Sequence, residues 1–311
     1  MRNITSSIFK FGRLTAALYL SSFLVLSVVV DRHRYGAHVL HAFKLPIKYL
    51  VQYADHAVPF DQEKFDAYLR YFNYVEQYVP NCSEGYAMQG YCYYQIGQKQ
   101  KARAYYQLAV QSYPEFFWFS YNLAVIYFNE GDFKKIIPLL EKATALDPKT
   151  TIALLGSSRI YADLGGDEET AVDQEFTLTR LGHKMGDRLK SGYESAYEML
   201  LISYEKQKNY QAMLESGLVF TSFNPRNMAT MLYYVGMANY HLGHFKEAVS
   251  FLKESVHRDA QDPDKLYYFG LALKELHENQ LAQAALDEAE LLRVSVVDRK
   301  EDSQKFDLRI F

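Results

Sequence analysis

The chain of 311 residues carries 34 lysine and arginine residues against 37 aspartate and glutamate residues, a formal net charge of −3. A protein that binds nucleic acid through phosphate contacts needs a basic field that releases counterions. The charge balance therefore argues against nucleic acid as an obligate partner. The chain also has 27 tyrosines but a single tryptophan, Trp118, and packing or binding must account for that excess of tyrosine.

Residues 1–13 form a short basic tail, and residues 14–30 form an uncharged apolar run, LTAALYLSSFLVLSVVV. As a helix this run would extend about 26 Å, slightly less than the roughly 30 Å hydrocarbon core of a bilayer. A secretory signal ends with small residues before its cleavage site, whereas this run ends in valines. We therefore expect an uncleaved N-terminal transmembrane helix at 14–30, in preference to a cleaved signal or a buried helix.

Basic residues flank the apolar run in nearly equal numbers on both sides, so the positive-inside rule decides little about orientation. A short basic tail ahead of a long downstream domain favours a cytosolic tail. The expected localisation is therefore a single-pass membrane protein with its main domain on the non-cytosolic side, and a cytosolic domain is the alternative. Residues 31–60 mix aromatic and basic residues, which predicts an amphipathic juxtamembrane region or a continuation of the membrane helix.

From residue 80 onwards, the sequence repeats at an interval of 34 residues. The residues that keep this interval are Pro80, Pro114 and Pro148, then Gly97, Gly131 and Gly165, and Tyr93, Tyr127 and Tyr161. A fixed period of this length is typical of a helical repeat array. The best unit predicts a helix from Ser83 to Ile96, a turn at Gly97, and a second helix from Gln100 to Ser112. Residues 61–82 are expected to form a degenerate first repeat that caps the open end of the array.

The units resemble the tetratricopeptide repeat family. In residues 83–116 the large, small, aromatic, turn and terminal positions of the family pattern are Tyr86, Gly90, Tyr93, Gly97, Ala102, Tyr106, Ala109 and Pro114. Later units match less completely, and two of them have Lys208 and His277 in the turn where glycine is expected. The resemblance implies an all-α fold, a right-handed α-solenoid of six helix pairs over residues 83–296. An insertion at about 181–192 interrupts the period.

In this family, the first helix of each pair lines a concave surface that binds peptides. The resemblance places ten residues on that surface here: Tyr91, Tyr94, Trp118, Tyr121, Val125, Phe128, Tyr233, Met237, Tyr240 and Tyr267. Aromatic anchors of this kind dominate the binding energy of interfaces; alternatively, these side chains pack against neighbouring repeats. The family's clamp for acidic C-terminal peptides is absent, since only Asn122 of its residues is retained. An apolar or helical segment of a partner protein suits the groove better.

The sequence contains no motif that carries catalytic chemistry. The phosphate loop GxxxxGK(S/T), the dinucleotide motif GxGxxG, the zinc motif HExxH and the CxxC pair are all missing. Cys82 and Cys92 are too far apart along a predicted helix to form a disulfide. The histidine pairs at 38 and 41 and at 241 and 244 lack the further ligands that a metal site needs. We expect no enzymatic activity, no cofactor and no bound metal.

The C-terminal tail, residues 297–311, differs from the repeats. A highly charged stretch is followed by FDLRIF, in which apolar residues alternate with charged ones from Phe306. This pattern is typical of a strand or a docking segment, which could bind the groove of its own array, bind a partner, or remain disordered. Taken together, the sequence predicts a membrane-anchored scaffold or adaptor that recruits or assembles partner proteins. The alternative is a permanent structural subunit of a larger membrane complex.

Overall fold

The computed structural model describes residues 49–50, 52–54, 57–78, 81–145, 191–222, 225–296 and 306–309. All regular secondary structure within these ranges is helical. The helices are α1 (Gln62–Tyr78), α2 (Ser83–Gln95), α3 (Lys99–Ser112), α4 (Phe117–Glu130), α5 (Phe133–Thr144), α6 (residues 191–206), α7 (Tyr210–Thr221), α8 (Met228–His241), α9 (Phe245–Arg258), α10 (Pro263–Glu275) and α11 (Asn279–Val296). The bounds of α2 and α3 agree with the sequence prediction to within one residue.

Neighbouring helices pack against one another from α1 to α5 and from α7 to α11, and α8 also contacts α10. The first helix of a pair is buried on nearly all sides: every residue of α4 from Phe117 to Tyr127 is buried. The second helix buries one stripe only, as Ile136, Leu140 and Ala143 show on α5, at the spacing of an amphipathic helix. This layering confirms the predicted all-α solenoid, in which each unit contacts mainly its neighbours.

Small residues let paired helices approach closely, as the repeat pattern predicts. A Cβ atom added at Gly236 of α8 would lie 2.5 Å from Cγ of Leu252 on α9. One added at Gly270 of α10 would lie 2.7 Å from Cγ of Leu286 on α11. The glycines are therefore required by helix packing, because overfilling such a contact forces side chains or backbone to shift.

The turns within pairs keep a left-handed residue even where the sequence has no glycine. Gly97 and Gly131 have φ angles of 78° and 74°. At the equivalent turn positions, Lys208 has φ 55° and His277 has φ 64°. A side chain in this conformation costs about 1–2 kcal/mol. The packing of the two helices on either side of the turn therefore imposes its geometry on whichever residue occupies it.

Helix α6 packs directly on α4 and α5. The ring of Tyr193 stacks on that of Phe117, with centroids 4.4 Å apart, and the Tyr193 hydroxyl donates to the carbonyl oxygen of Ala143 at 3.5 Å. The Tyr204 hydroxyl donates to Oε1 of Glu141 at 2.6 Å. In the stack, α6 therefore follows α5. Residues 146–190, which include most of the predicted insertion at about 181–192, lie outside the described residues.

The predicted single-pass localisation requires correction. Among the helices that the structure describes, none has the length and apolar character needed to cross a bilayer. The apolar run at 14–30 lies outside the described residues, as does the juxtamembrane region up to residue 48. The transmembrane part of the predicted fold, and the assignment of the repeats to one side of a membrane, are therefore not supported.

Candidate functional site

Residues 306–309, near the end of the chain, lie against α4, the first helix of its pair. In residues 306–309, Phe306 and Leu308 are 6% and 5% exposed, whereas Asp307 and Arg309 are exposed. This alternation has the period of two expected for an extended segment, and none of the four residues is helical. The buried pair shows that the segment is seated in the array.

The side chain of Asn122, in the middle of α4, binds the main chain of this segment. Its Nδ2 donates to the carbonyl oxygen of Arg309 at 2.7 Å, and its Oδ1 accepts from the Arg309 amide at 2.8 Å. Nδ2 also donates to the hydroxyl of Tyr106 at 3.3 Å. The Asn122 side chain is fully buried. A buried amide is tolerated when its hydrogen bonds are satisfied. Arg309 of the tail provides two of these three hydrogen bonds of the Asn122 side chain.

The aromatic wall of the site is formed by Phe128, six residues after Asn122 on the same helix. Its ring meets that of Phe306 edge to face, with centroids 4.8 Å apart and planes at 85°. The ring of Phe128 also lies 5.6 Å from that of Phe133 on α5. Edge-to-face pairs of this kind add to the free energy gained by burial alone. Phe128 thus provides an apolar contact for a docked side chain.

Two tyrosine hydroxyls line the polar edge of the site. Burial raises the pKa of Tyr121, and the positive charge of the nearby Arg309 opposes that rise. Burial also raises the pKa of Tyr94; a hydrogen bond of 2.9 Å from Nδ2 of Asn129 opposes the shift, while Asp307 adds to it. Both phenols therefore remain neutral near pH 7 and act as hydrogen-bonding groups. We define the peptide groove by Tyr94, Tyr121, Asn122 and Phe128.

The structure divides the ten predicted site residues into core and surface positions. Tyr91, Trp118, Tyr121, Val125 and Met237 are buried. The half-buried residues are Tyr94, Phe128, Tyr233, Tyr240 and Tyr267. The exposures of the buried five are those with the tail segment in place, and Tyr121 lies near Arg309 of that segment. Sequence reasoning left Asn122 out of the site, although its match to the family's clamp was a usable signal.

The half-buried tyrosines on α8 and α10 form a separate aromatic cluster. The ring of Tyr268 lies 5.9 Å from that of Tyr233 and 5.8 Å from that of Tyr240. Tyr267 lies 5.7 Å from the same ring, and His241 stacks on Tyr210 at 4.0 Å.

Within the described ranges, no group of three or more histidine, cysteine, aspartate or glutamate residues could hold a metal ion. The histidine pair at 38 and 41 lies outside them.

The two cysteines are expected to react slowly with thiol reagents in the folded protein. Burial, reinforced by Glu84, raises the pKa of Cys82 to about 11, and burial raises the pKa of Cys92 further. Because the thiolate is the reactive form, its fraction at Cys82 near pH 8 is about a hundredfold below that of a thiol with a pKa of 9.0. The rate of reaction with Ellman's reagent should rise with pH up to about 11.

The matched control is the same protein unfolded in urea, in which both thiols should react rapidly. A Cys82→Ser variant isolates the signal of Cys92. Reaction of the folded protein at the rate of the unfolded chain near pH 8 would contradict this prediction.

Models of the tetratricopeptide repeat match residues 83–116 and 119–150. Among curated proteins, none matches the sequence. The similar solved structures include YrrB, a TPR protein described as having an unusual peptide-binding site, at 15% identity, with 73% of this chain and 94% of that chain covered and a TM-score of 0.50. They also include MamA from Desulfovibrio magneticus RS-1, from its residue 41 to the end, at 13% identity, with 71% and 97% covered and a TM-score of 0.47. At such identities the likeness to YrrB shows the fold alone. The chain thus contains tetratricopeptide repeats at 83–116 and 119–150, within a helical solenoid of the TPR type.

Proposed function

We propose that this protein is an interaction scaffold that binds an extended, apolar segment of a partner protein in the peptide groove. Tetratricopeptide repeats imply protein–protein interaction as the general role. The observation that carries the more specific proposal is the pairing of Asn122 with both main-chain groups of Arg309.

Recognition through the main chain explains how one groove can accept segments of different sequence. Every residue except proline offers an amide N–H and a carbonyl oxygen, so the two bonds from Asn122 are available to almost any extended segment. Side chains at alternate positions then point into the array, where Phe128 offers an apolar contact. Affinity therefore comes from the main chain and selectivity from the alternate side chains, as in other modes of extended-peptide recognition.

The preferred ligand differs in one respect from the sequence-based expectation of an apolar or helical segment. A helical segment uses its main-chain groups internally, so it could not offer both groups of one residue to Asn122. The segment seated in the groove is apolar at alternate positions and non-helical. A peptide-binding site is also described for YrrB, a protein with this fold.

The proposal is tested by selecting short random peptides on the full chain with Phe306→Ala and Leu308→Ala, two changes that remove the buried side chains of the tail. Selected peptides are expected to carry two apolar residues separated by one residue. Adding Asn122→Ala to the same chain should weaken their binding about tenfold or more, because two hydrogen bonds of about 0.5–1.5 kcal/mol each are lost. Isothermal titration calorimetry measures that change.

Tyr106→Phe provides the matched control, since it removes only the hydrogen bond between the Tyr106 hydroxyl and Asn122 and leaves the main-chain bonds in place. Its peptide affinity should remain close to that of the parent. If selection yields no binding peptide, or if the peptides bind equally well after Asn122→Ala, the proposed function fails.

A further inference from the structure

We propose that residues 306–309 are a resident pseudo-ligand, which occupies the peptide groove until a partner segment with the same apolar spacing displaces it. This inference rests on the proposed function and adds two features to it: the pattern that the ligand must have, and the regulation of access by the chain's own tail.

The pattern follows from which tail residues are in contact with the array. Phe306 and Leu308 are buried, so the segment presents an aromatic residue and an aliphatic residue two positions apart. The residue between them, Asp307, is exposed, and this position should tolerate substitution. Arg309 contributes its main chain, which bonds to the Asn122 side chain through both the amide and the carbonyl oxygen. A competing segment therefore needs the aromatic, any residue, aliphatic order, followed by a residue other than proline.

The main-chain bonds also distinguish a ligand-like contact from ordinary packing of a terminus. The two hydrogen bonds join residues that are 187 positions apart. They bind the fully buried side-chain amide of Asn122, in the middle of α4. This helix is the first of its pair, and the first helices form the surface on which this type of solenoid presents its groove. A tail that merely covered an apolar patch would not require a polar side chain at the centre of the contact, since an unpaired buried amide is unfavourable.

The tail has a concentration advantage over any partner because it is tethered. A segment that belongs to the same chain as its binding site can reach an effective concentration of about 1 mM. If the isolated segment binds with a Kd of about 10–100 μM, the tail fills the groove about 10–100 times more often than it leaves it empty. The apparent affinity for a partner segment falls by the same factor, so weak partners are excluded and matched ones are retained.

The test uses a fluorescently labelled synthetic peptide with the sequence of residues 303–311, SQKFDLRIF. Its anisotropy is followed on titration with three forms of the full chain: the wild type, Phe306→Ala with Leu308→Ala, and Asp307→Ala. We expect the double variant to bind the peptide at least about tenfold more tightly than the wild type. Asp307→Ala, which changes an exposed tail residue, should behave like the wild type.

The outcomes separate this inference from the proposed function. Equal affinity of the wild type and the double variant overturns gating by the tail but leaves the binding function intact. Absence of binding to all three proteins contradicts both. Concentration-dependent self-association of the wild type, abolished in the double variant by sedimentation velocity, would show that the tail docks in a second copy, and would overturn occupancy within one chain.

A second measurement on the unaltered protein avoids any effect of substitution on folding. Saturating unlabelled peptide should accelerate hydrogen exchange of the Arg309 amide, which donates to Asn122, by about tenfold or more. A peptide with alanine at the positions of Phe306 and Leu308 should leave that rate unchanged. Unchanged exchange at saturation with the matching peptide contradicts displacement.

Discussion

Replacing Trp118 with alanine is expected to lower the free energy of unfolding by about 3–5 kcal/mol. The Trp118 side chain is 4% exposed, and its ring lies 5.0 Å from that of Phe117 and 5.5 Å from that of Tyr121. A Cβ atom built on Gly192 of α6 would lie 2.5 Å from Trp118 Cη2. Because α6 rests directly on the indole, truncation opens a cavity between α4 and α6. Urea unfolding followed by far-ultraviolet circular dichroism measures the loss.

Phe128→Ala is the matched comparison on the same helix. Phe128 is half-buried and contacts Phe306 of the tail, so its removal should cost less stability than that of Trp118 and should weaken peptide binding. If the Trp118→Ala variant is as stable as the wild type, Trp118 is not a core residue. It would then be a binding anchor, as the sequence pattern suggested.

Neutralising both aspartates around Lys265 is expected to destabilise the fold by about 3–5 kcal/mol. The Lys265 side chain is 2% exposed, and its Nζ lies 2.5 Å from Asp259 Oδ2 and 3.2 Å from Asp262 Oδ2. In the double variant Asp259→Asn and Asp262→Asn, the buried Lys265 side chain no longer has a carboxylate partner. Asparagine at 262 can still cap α10, where the Asp262 side chain accepts from the Asp264 amide at 3.0 Å. Thermal unfolding of the variant provides the measurement.

Lys265→Met is the control, because it removes the buried charge and leaves behind carboxylates that are more than a third exposed. Its loss of stability should be much smaller than that of the double variant, and equal losses would contradict this account of the pair.

The stability of the wild type should also depend on pH. The hydrogen bond from Lys265 lowers the pKa of Asp259 below its usual value of 3.8. The resulting stabilisation is therefore complete above pH 3.8 and is lost as the pH falls through the lowered value.

Local rules were sufficient to predict the helices of the best repeat. The bounds of α2 and α3 follow from apolar spacing, the turn at Gly97 and the proline that follows, all of which act within a few residues. The turns at Lys208 and His277 show where local rules end. There the sequence argues against a left-handed residue, and the packing of the flanking helices imposes one.

The division between core and groove could not be read from helical spacing. Trp118 and Phe128 lie ten positions apart on one face of α4, and both fit an aromatic stripe. The difference between them is set by α6, whose Gly192 lies over Trp118, and by the tail, whose Phe306 lies against Phe128. Both of these neighbours come from distant parts of the chain, and the period of 34 residues contains no information about either contact.

The bond between Asn122 and Arg309 has a further consequence for how the array unfolds. A solenoid whose units contact only their neighbours behaves as a one-dimensional chain, which can fray from either end without disturbing the middle. Joining residues 187 positions apart turns that open chain into a loop and raises its contact order, so closure should come late in folding. Once closed, the last helix pair can no longer fray independently of α4. A segment that displaces the tail would therefore reopen the loop, and occupancy of the groove should appear as broader, less cooperative unfolding of the C-terminal repeats.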